Sequence, residues 1–197
     1  MINTIFITGM IIFVLSSLYF LIAKKNNGIN TAFLVSFVTL ASYVLMWDGT
    51  YVAQSASGEP IFWTSWLFYA LSCSLLMIEI SKVKGITSAS KVGELIFLNV
   101  IVMGTGFLAA ITFGLVKWMF FGLSSIAYLI QVGMLLKIKE SASNWINAYI
   151  YFGWSVFPVA FFLAPTGIEV FGAAIAMGLY LILDIYTKIV FNLQLND

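Results

Sequence analysis

Histidine is absent from this 197-residue chain, and so is arginine: all nine basic residues are lysine. Without an imidazole there is no histidine-ligated metal site and no histidine-based triad. One cysteine, Cys73, excludes an internal disulfide and a cluster of cysteine ligands. Charge is scarce too, at 9% of residues against 62% hydrophobic, with a formal net charge of +1. A water-soluble domain of this size needs more polar surface. Nucleic-acid binding needs a basic footprint that this chain does not have.

What is abundant is apolar sequence in long runs. Seven blocks recur, at residues 4–23, 31–52, 61–80, 92–111, 113–136, 145–165 and 170–193. Each is close to the roughly 20 residues an α-helix needs to cross a bilayer. Short polar links such as AKKNNGIN, DGTYVAQSASGEP and KIKESASN separate them, with no internal repeat. The pattern predicts an all-α membrane protein: a bundle of seven transmembrane helices forming a single domain over residues 1–197. The first block reads as a span rather than a cleaved signal, lacking a basic start and a small-residue cleavage site. Lysines set the orientation. Lys24 and Lys25 follow the first block, Lys82, Lys84 and Lys91 flank the link after the third, and Lys137 and Lys139 follow the fifth. Asp48, Glu59 and Glu169 occupy the alternate links, with Lys117 near the turn between the fourth and fifth blocks. The positive-inside rule then puts the N-terminus outside and the C-terminus in the cytoplasm, in a multi-pass protein of the plasma membrane.

The last block, YLILDIYTKIVF from Tyr180 to Phe191, is apolar except for Asp184 and Lys188. Four residues apart, they share one helix face. A lysine alone here could snorkel to the interface. Asp184 lies one turn deeper on a short side chain, and a carboxylate at that depth costs a few kcal/mol unless paired. One chemistry uses both groups. A lysine in an apolar core can condense with an aldehyde, and the protonated Schiff base then needs a counter-ion. With 17% aromatic residues the chain can line a slot for a long aldehyde.

Three segments, LDIYTK in the seventh block, WSVFPVAFFL in the sixth and MGTGFLAA in the fourth, together resemble the microbial (type 1) rhodopsins. The resemblance covers essentially the whole chain. It implies all-trans retinal bound covalently to Lys188 as a Schiff base, with Asp184 as counter-ion and Tyr43 as its hydrogen-bond partner. Trp154, Pro158 and Phe161 would line one side of the chromophore, and Gly106 would make room near its ring. Ordinary membrane-helix packing accounts for these four residues equally well when they are taken singly.

The third block, PIFWTSWLFYALSCSLLMIEISK, holds one acid, Glu79. One register puts Ser65 where outward proton pumps keep an acidic acceptor; the other puts Phe68 there, with Ser72 one turn on and Glu79 at the cytoplasmic end. Neither supplies a carboxylate. The second set, Phe68, Ser72 and Glu79 with Tyr69 and Cys73 beside them, resembles the schizorhodopsins and related Antarctic rhodopsins. That likeness implies a light-driven inward proton pump in the lipid bilayer, which would be a homo-oligomer, often trimeric. Phe68 would remove an outward acceptor and Glu79 would draw the proton inward. The same residues admit plainer roles: Glu79 as an interfacial partner of Lys82, Ser72 and Cys73 as small packing groups. Ser65 stands where the family commonly has arginine. The alternatives are a retinal photosensor of the same fold that signals through a separate partner, and a seven-helix transporter or scaffold without retinal. No metal site, enzymatic reaction or nucleic-acid partner is expected.

Overall fold

The computed structural model describes residues 1–23, 30–49, 51–137 and 144–196. Lys24, Lys25 and Lys139, three of the lysines used for orientation, lie outside the described residues.

Among the described residues, seven helices are long and apolar enough to cross a membrane. They are α1 (Ile2–Ile22), α2 (Thr31–Asp48), α3 (Thr64–Val83), α4 (Ala89–Ile111), α5 (Gly114–Lys137), α6 (Trp145–Leu163) and α7 (Ala173–Leu195). A helix satisfies its backbone internally, which is why these blocks adopt it in lipid. Their outward faces carry Leu71, Leu123, Leu129, Phe152 and Ile182, all largely exposed. Those side chains face hydrocarbon in a bilayer, so their exposure incurs no hydrophobic penalty.

The boundaries differ from the apolar blocks for local reasons. The second block extends to residue 52, but α2 stops at Asp48 because Gly49 takes a left-handed φ of 70°, a conformation glycine adopts without a Cβ clash. The third block starts at residue 61, but α3 begins at Thr64. Before it, Ala53–Gln54 (β1) and Pro60–Ile61 (β2) pair as an antiparallel hairpin. At the start of α2, Asn30 accepts from Phe33 N and donates to Phe20 O, capping one helix while holding its neighbour.

Successive helices α1 to α5 pack side by side, and α7 closes the ring against α1, α2 and α6. The ends are distinct. One bears Lys82, Lys84, Lys91 and Lys137; the other bears the hairpin. At the hairpin end, Glu59 Oε2 accepts from Ala173 N at 2.9 Å, placing a carboxylate on the positive N-terminus of α7. Buried Lys117 donates to Gly167 O there, tying α5 to the α6–α7 link. At the lysine end, fully buried Lys84 donates to Asn147 Oδ1 at 2.8 Å, joining the end of α3 to α6.

Both α6 and α7 are interrupted by π-helical turns, at Tyr149–Trp154 and Ile185–Val190. These wider turns face one another, and functional sites are where such turns are common.

Candidate functional site: a buried ion pair beside an aromatic cavity

Asp184 closes the regular α-helical part of α7, and Lys188 lies in the π turn that follows. Lys188 Nζ sits 2.8 Å from Asp184 Oδ1, and each side chain is 1% exposed. The contact is an ion pair set too obliquely to count as a hydrogen bond. The other carboxylate oxygen, Oδ2, accepts from Tyr43 Oη and from Tyr69 Oη, each at 3.0 Å. The Tyr69 ring also lies 4.1 Å from the lysine nitrogen, a favourable place for a cation. Three helices thus converge on one carboxylate. The packing of α1 supports the arrangement: Phe13 stacks on Tyr43, with ring centroids 5.6 Å apart.

Lys188 opens onto a cavity of about 840 Å³. Tyr69, Cys73, Gly106, Trp154, Pro158 and Phe161, all singled out from the sequence, line it with the lysine. Its walls are apolar because the amides that reach it are turned elsewhere. Asn99 donates to Ala70 O and Ser74 Oγ, and Gln131 donates to Leu95 O. Gly106 has a steric reason: a Cβ there would lie 3.1 Å from the Trp66 ring. Gly104, its neighbour on α4, is exposed with nothing near its would-be Cβ.

The remaining expected residues stand elsewhere. Phe68 and Ser72 are not among the lining residues; Phe68 is half-buried and Ser72 wholly buried. Glu79 sits near the lysine end and accepts from Lys82 Nζ at 2.8 Å. Helical spacing explains the split. Trp66, Tyr69, Cys73 and Leu76 recur at intervals of three and four and form the cavity face of α3. Phe68, Ser72 and Glu79 form a neighbouring stripe centred about 100° further round the helix.

Several cavity residues had not been singled out from the sequence: Trp66, Phe121, Phe157, Tyr180 and Thr187. For Trp66 the signal was the interval of three from Tyr69. For Phe121 and Phe157 there was none, since aromatic residues occur throughout. Beside the cavity, Trp154 Nε1 donates to Tyr149 Oη, which donates to Thr187 O at 2.6 Å, the carbonyl just before Lys188.

The profile of the bacteriorhodopsin-like protein family matches residues 1–196. The chain belongs to that family. The crystal structure of schizorhodopsin 4 superposes with a TM-score of 0.94 at 38% identity, covering 100% of this chain and 98% of that one. A thermophilic rhodopsin from Rubrobacter xylanophilus gives 0.88 at 17% identity, over 100% of this chain and 95% of that one. Sensory rhodopsin-2 of Natronomonas pharaonis is 24% identical, over 96% of this chain and 86% of its own. This rhodopsin is therefore a multi-pass plasma-membrane protein in a family of light-driven pumps and sensors that bind retinal through a lysine. Its cavity suits such a group. Its walls are aromatic, and one buried amine faces it.

Proposed function

We propose that this rhodopsin is a light-driven inward proton pump, with all-trans retinal held covalently on Lys188 and the lysine end of the bundle in the cytoplasm. When bound, retinal supplies a light-driven change of shape, and the Lys188 nitrogen to which it would be joined holds the transported proton. Lys188 anchors it, while Trp154, Pro158, Phe161 and Gly106 shape the walls. Asp184 balances the positive charge at Lys188.

The observation that carries the inward direction is the distribution of carboxylates. Among the described residues Asp184 is the only acid paired with Lys188, and its Oδ2 is already engaged by two phenols. That leaves it little capacity to take up a proton and pass it outward. The only acid on α3 is Glu79, at the lysine end. Its negative charge favours release in that direction, through water or by attraction, since it stands too far off for contact. Phe68, in the register that resembles the schizorhodopsins, gives α3 no carboxylate at the acceptor position. The 38% identity to schizorhodopsin 4 supports the same reading.

Illumination of retinal-supplied cells in a weakly buffered suspension tests it. External pH should rise in the light, and a protonophore should abolish the change. External acidification overturns the direction. A flat trace from a coloured protein favours a photosensor acting through a separate partner.

A further inference from the structure

An inward pump must refill from outside. Resting on that reading, we propose that a second cavity, at the hairpin end, is the proton-entry vestibule, and that the Tyr180 hydroxyl is the carrier between it and the Asp184–Lys188 pair.

The space at this cavity, open solvent at its mouth included, is about 390 Å³. Trp66, Tyr69 and Tyr180 line both it and the larger cavity, so these three rings are the partition between them. No Asp, Glu or Lys lines the vestibule among the described residues, so no fixed charge of its own repels or traps a proton. Its hydroxyls are those of Ser65, Thr166, Tyr69 and Tyr180. Ser65 Oγ is turned back onto Phe62 O at 2.9 Å and Thr166 Oγ1 onto Phe161 O at 2.9 Å, each keeping lone pairs free. Tyr69 Oη is committed to Asp184. Tyr180 differs. Its Oη is buried but closes no hydrogen bond of ordinary geometry, and Thr166 and Asp184 are both within its electrostatic reach. It lies one turn before Asp184 on α7, on the same face. Its ring stacks on Phe157, with centroids 6.1 Å apart and planes at 16°, which holds the hydroxyl in place. Asp184 Oδ1 is held by Lys188 Nζ at 2.8 Å. Tyr180 thus stands one turn from the ion pair, on the side that faces the vestibule. The transfer balances without a co-reactant: Tyr180 Oη gains a proton from the vestibule side as it hands its own inward, and ends unchanged.

The test uses the retinal-loaded protein in intact cells and reads access rather than pumping. In the dark, external pH is raised rapidly while internal pH is clamped, and loss of the visible band is followed in time. The wild type should bleach under external control. Tyr180→Phe keeps the ring stacking and should slow that bleaching by about a hundred-fold or more, the lower end of what a positioned proton-transfer group contributes. Thr166→Val should slow it less, and provides a second variant if the first fails to assemble. Bleaching of Tyr180→Phe at the wild-type rate, or bleaching that follows internal pH, overturns the vestibule. The light-driven pH trace reports separately on the pump. External acidification there removes the inward direction, whatever the dark titration shows.

Discussion

On the proposed reading, Lys188 is the residue on which the pigment depends. Lys188→Ala should give a protein that develops no covalent visible band when retinal is added, as checked by absorption and by denaturation in acid. The change also strips from Asp184 the only cation paired with it among the described residues, and breaking a buried pair from one side typically costs about 3–5 kcal/mol. Reduced yield of this variant is therefore expected as well as loss of colour. Asp184→Asn removes the opposite charge 2.8 Å from Lys188 Nζ. Losing that charge disfavours the protonated form of the pigment. Its band should move to the near-ultraviolet at neutral pH, or to the red if the proton is retained. An unchanged spectrum and titration excludes Asp184 as the main counter-ion. Glu79→Gln keeps size and hydrogen bonding but removes the charge. If Glu79 draws the proton, light-driven alkalinisation should fall strongly while the visible band stays, because Glu79 is absent from the cavity lining. If it only pairs with exposed Lys82, the change costs roughly 0–1 kcal/mol and transport survives. The Asp184–Lys188 pair was legible in the sequence because two ionisable residues one turn apart in apolar surroundings have few explanations. Glu79 was less legible, since charges at helix ends are common, and the ion pair with Lys82 is present.

At the level of helices, packing distant from the ion pair sets its geometry. A Cβ on Gly9 of α1 would lie 2.5 Å from Tyr43 Cδ1. Gly9→Ala should therefore push the Tyr43 ring and weaken its bond to Asp184, although residue 9 touches neither charge. Its visible band should shift in the same direction as that of Tyr43→Phe; opposite shifts would sever the link. The contact of α3 with α6 at the lysine end makes a pH-dependent prediction. Burial pushes the Lys84 ammonium below its ordinary 10.5, with the neutral Asn147 amide as its partner. The unfolded chain then holds that proton more tightly than the folded one. Stability from this site rises with pH from the lowered value up to 10.5 and is smallest below it. Thermal melts of wild type and Lys84→Met at two pH values within that interval check this: the variant should show the weaker rise. None of this was legible beforehand. Hydropathy identifies a helix by length, whereas hairpin pairing, π turns and the rotation of each face depend on neighbours distant in sequence.

For the whole molecule, the placement of charge predicts which way it lies in the bilayer. Lys82, Lys84, Lys91 and Lys137 gather at one end, while Asp48, Glu59 and Glu169 occupy the links toward the other. The positive-inside rule then predicts that a tag at the N-terminus is cleaved by protease added to intact cells and that a C-terminal tag is protected. The reverse pattern would invert the reading of every proton movement, because Glu79 would then face outward.

Composition and block length determined the class by themselves. A chain this apolar, cut into segments of bilayer length, has no soluble solution, and backbone hydrogen bonding in lipid leaves helices as the choice. Local spacing also determined that Asp184 and Lys188 share a face. Only the tertiary structure decided the rest of the site. It brought Tyr43 of α2 and Tyr69 of α3 onto the same carboxylate oxygen. It turned Trp66, rather than Phe68, toward the cavity. It left Tyr180 in the partition between two cavities. The physical reason is that hydropathy records how much of a helix is apolar, and in a membrane every face is. Which face turns inward is decided by the packing of side chains and the pairing of polar groups across helices.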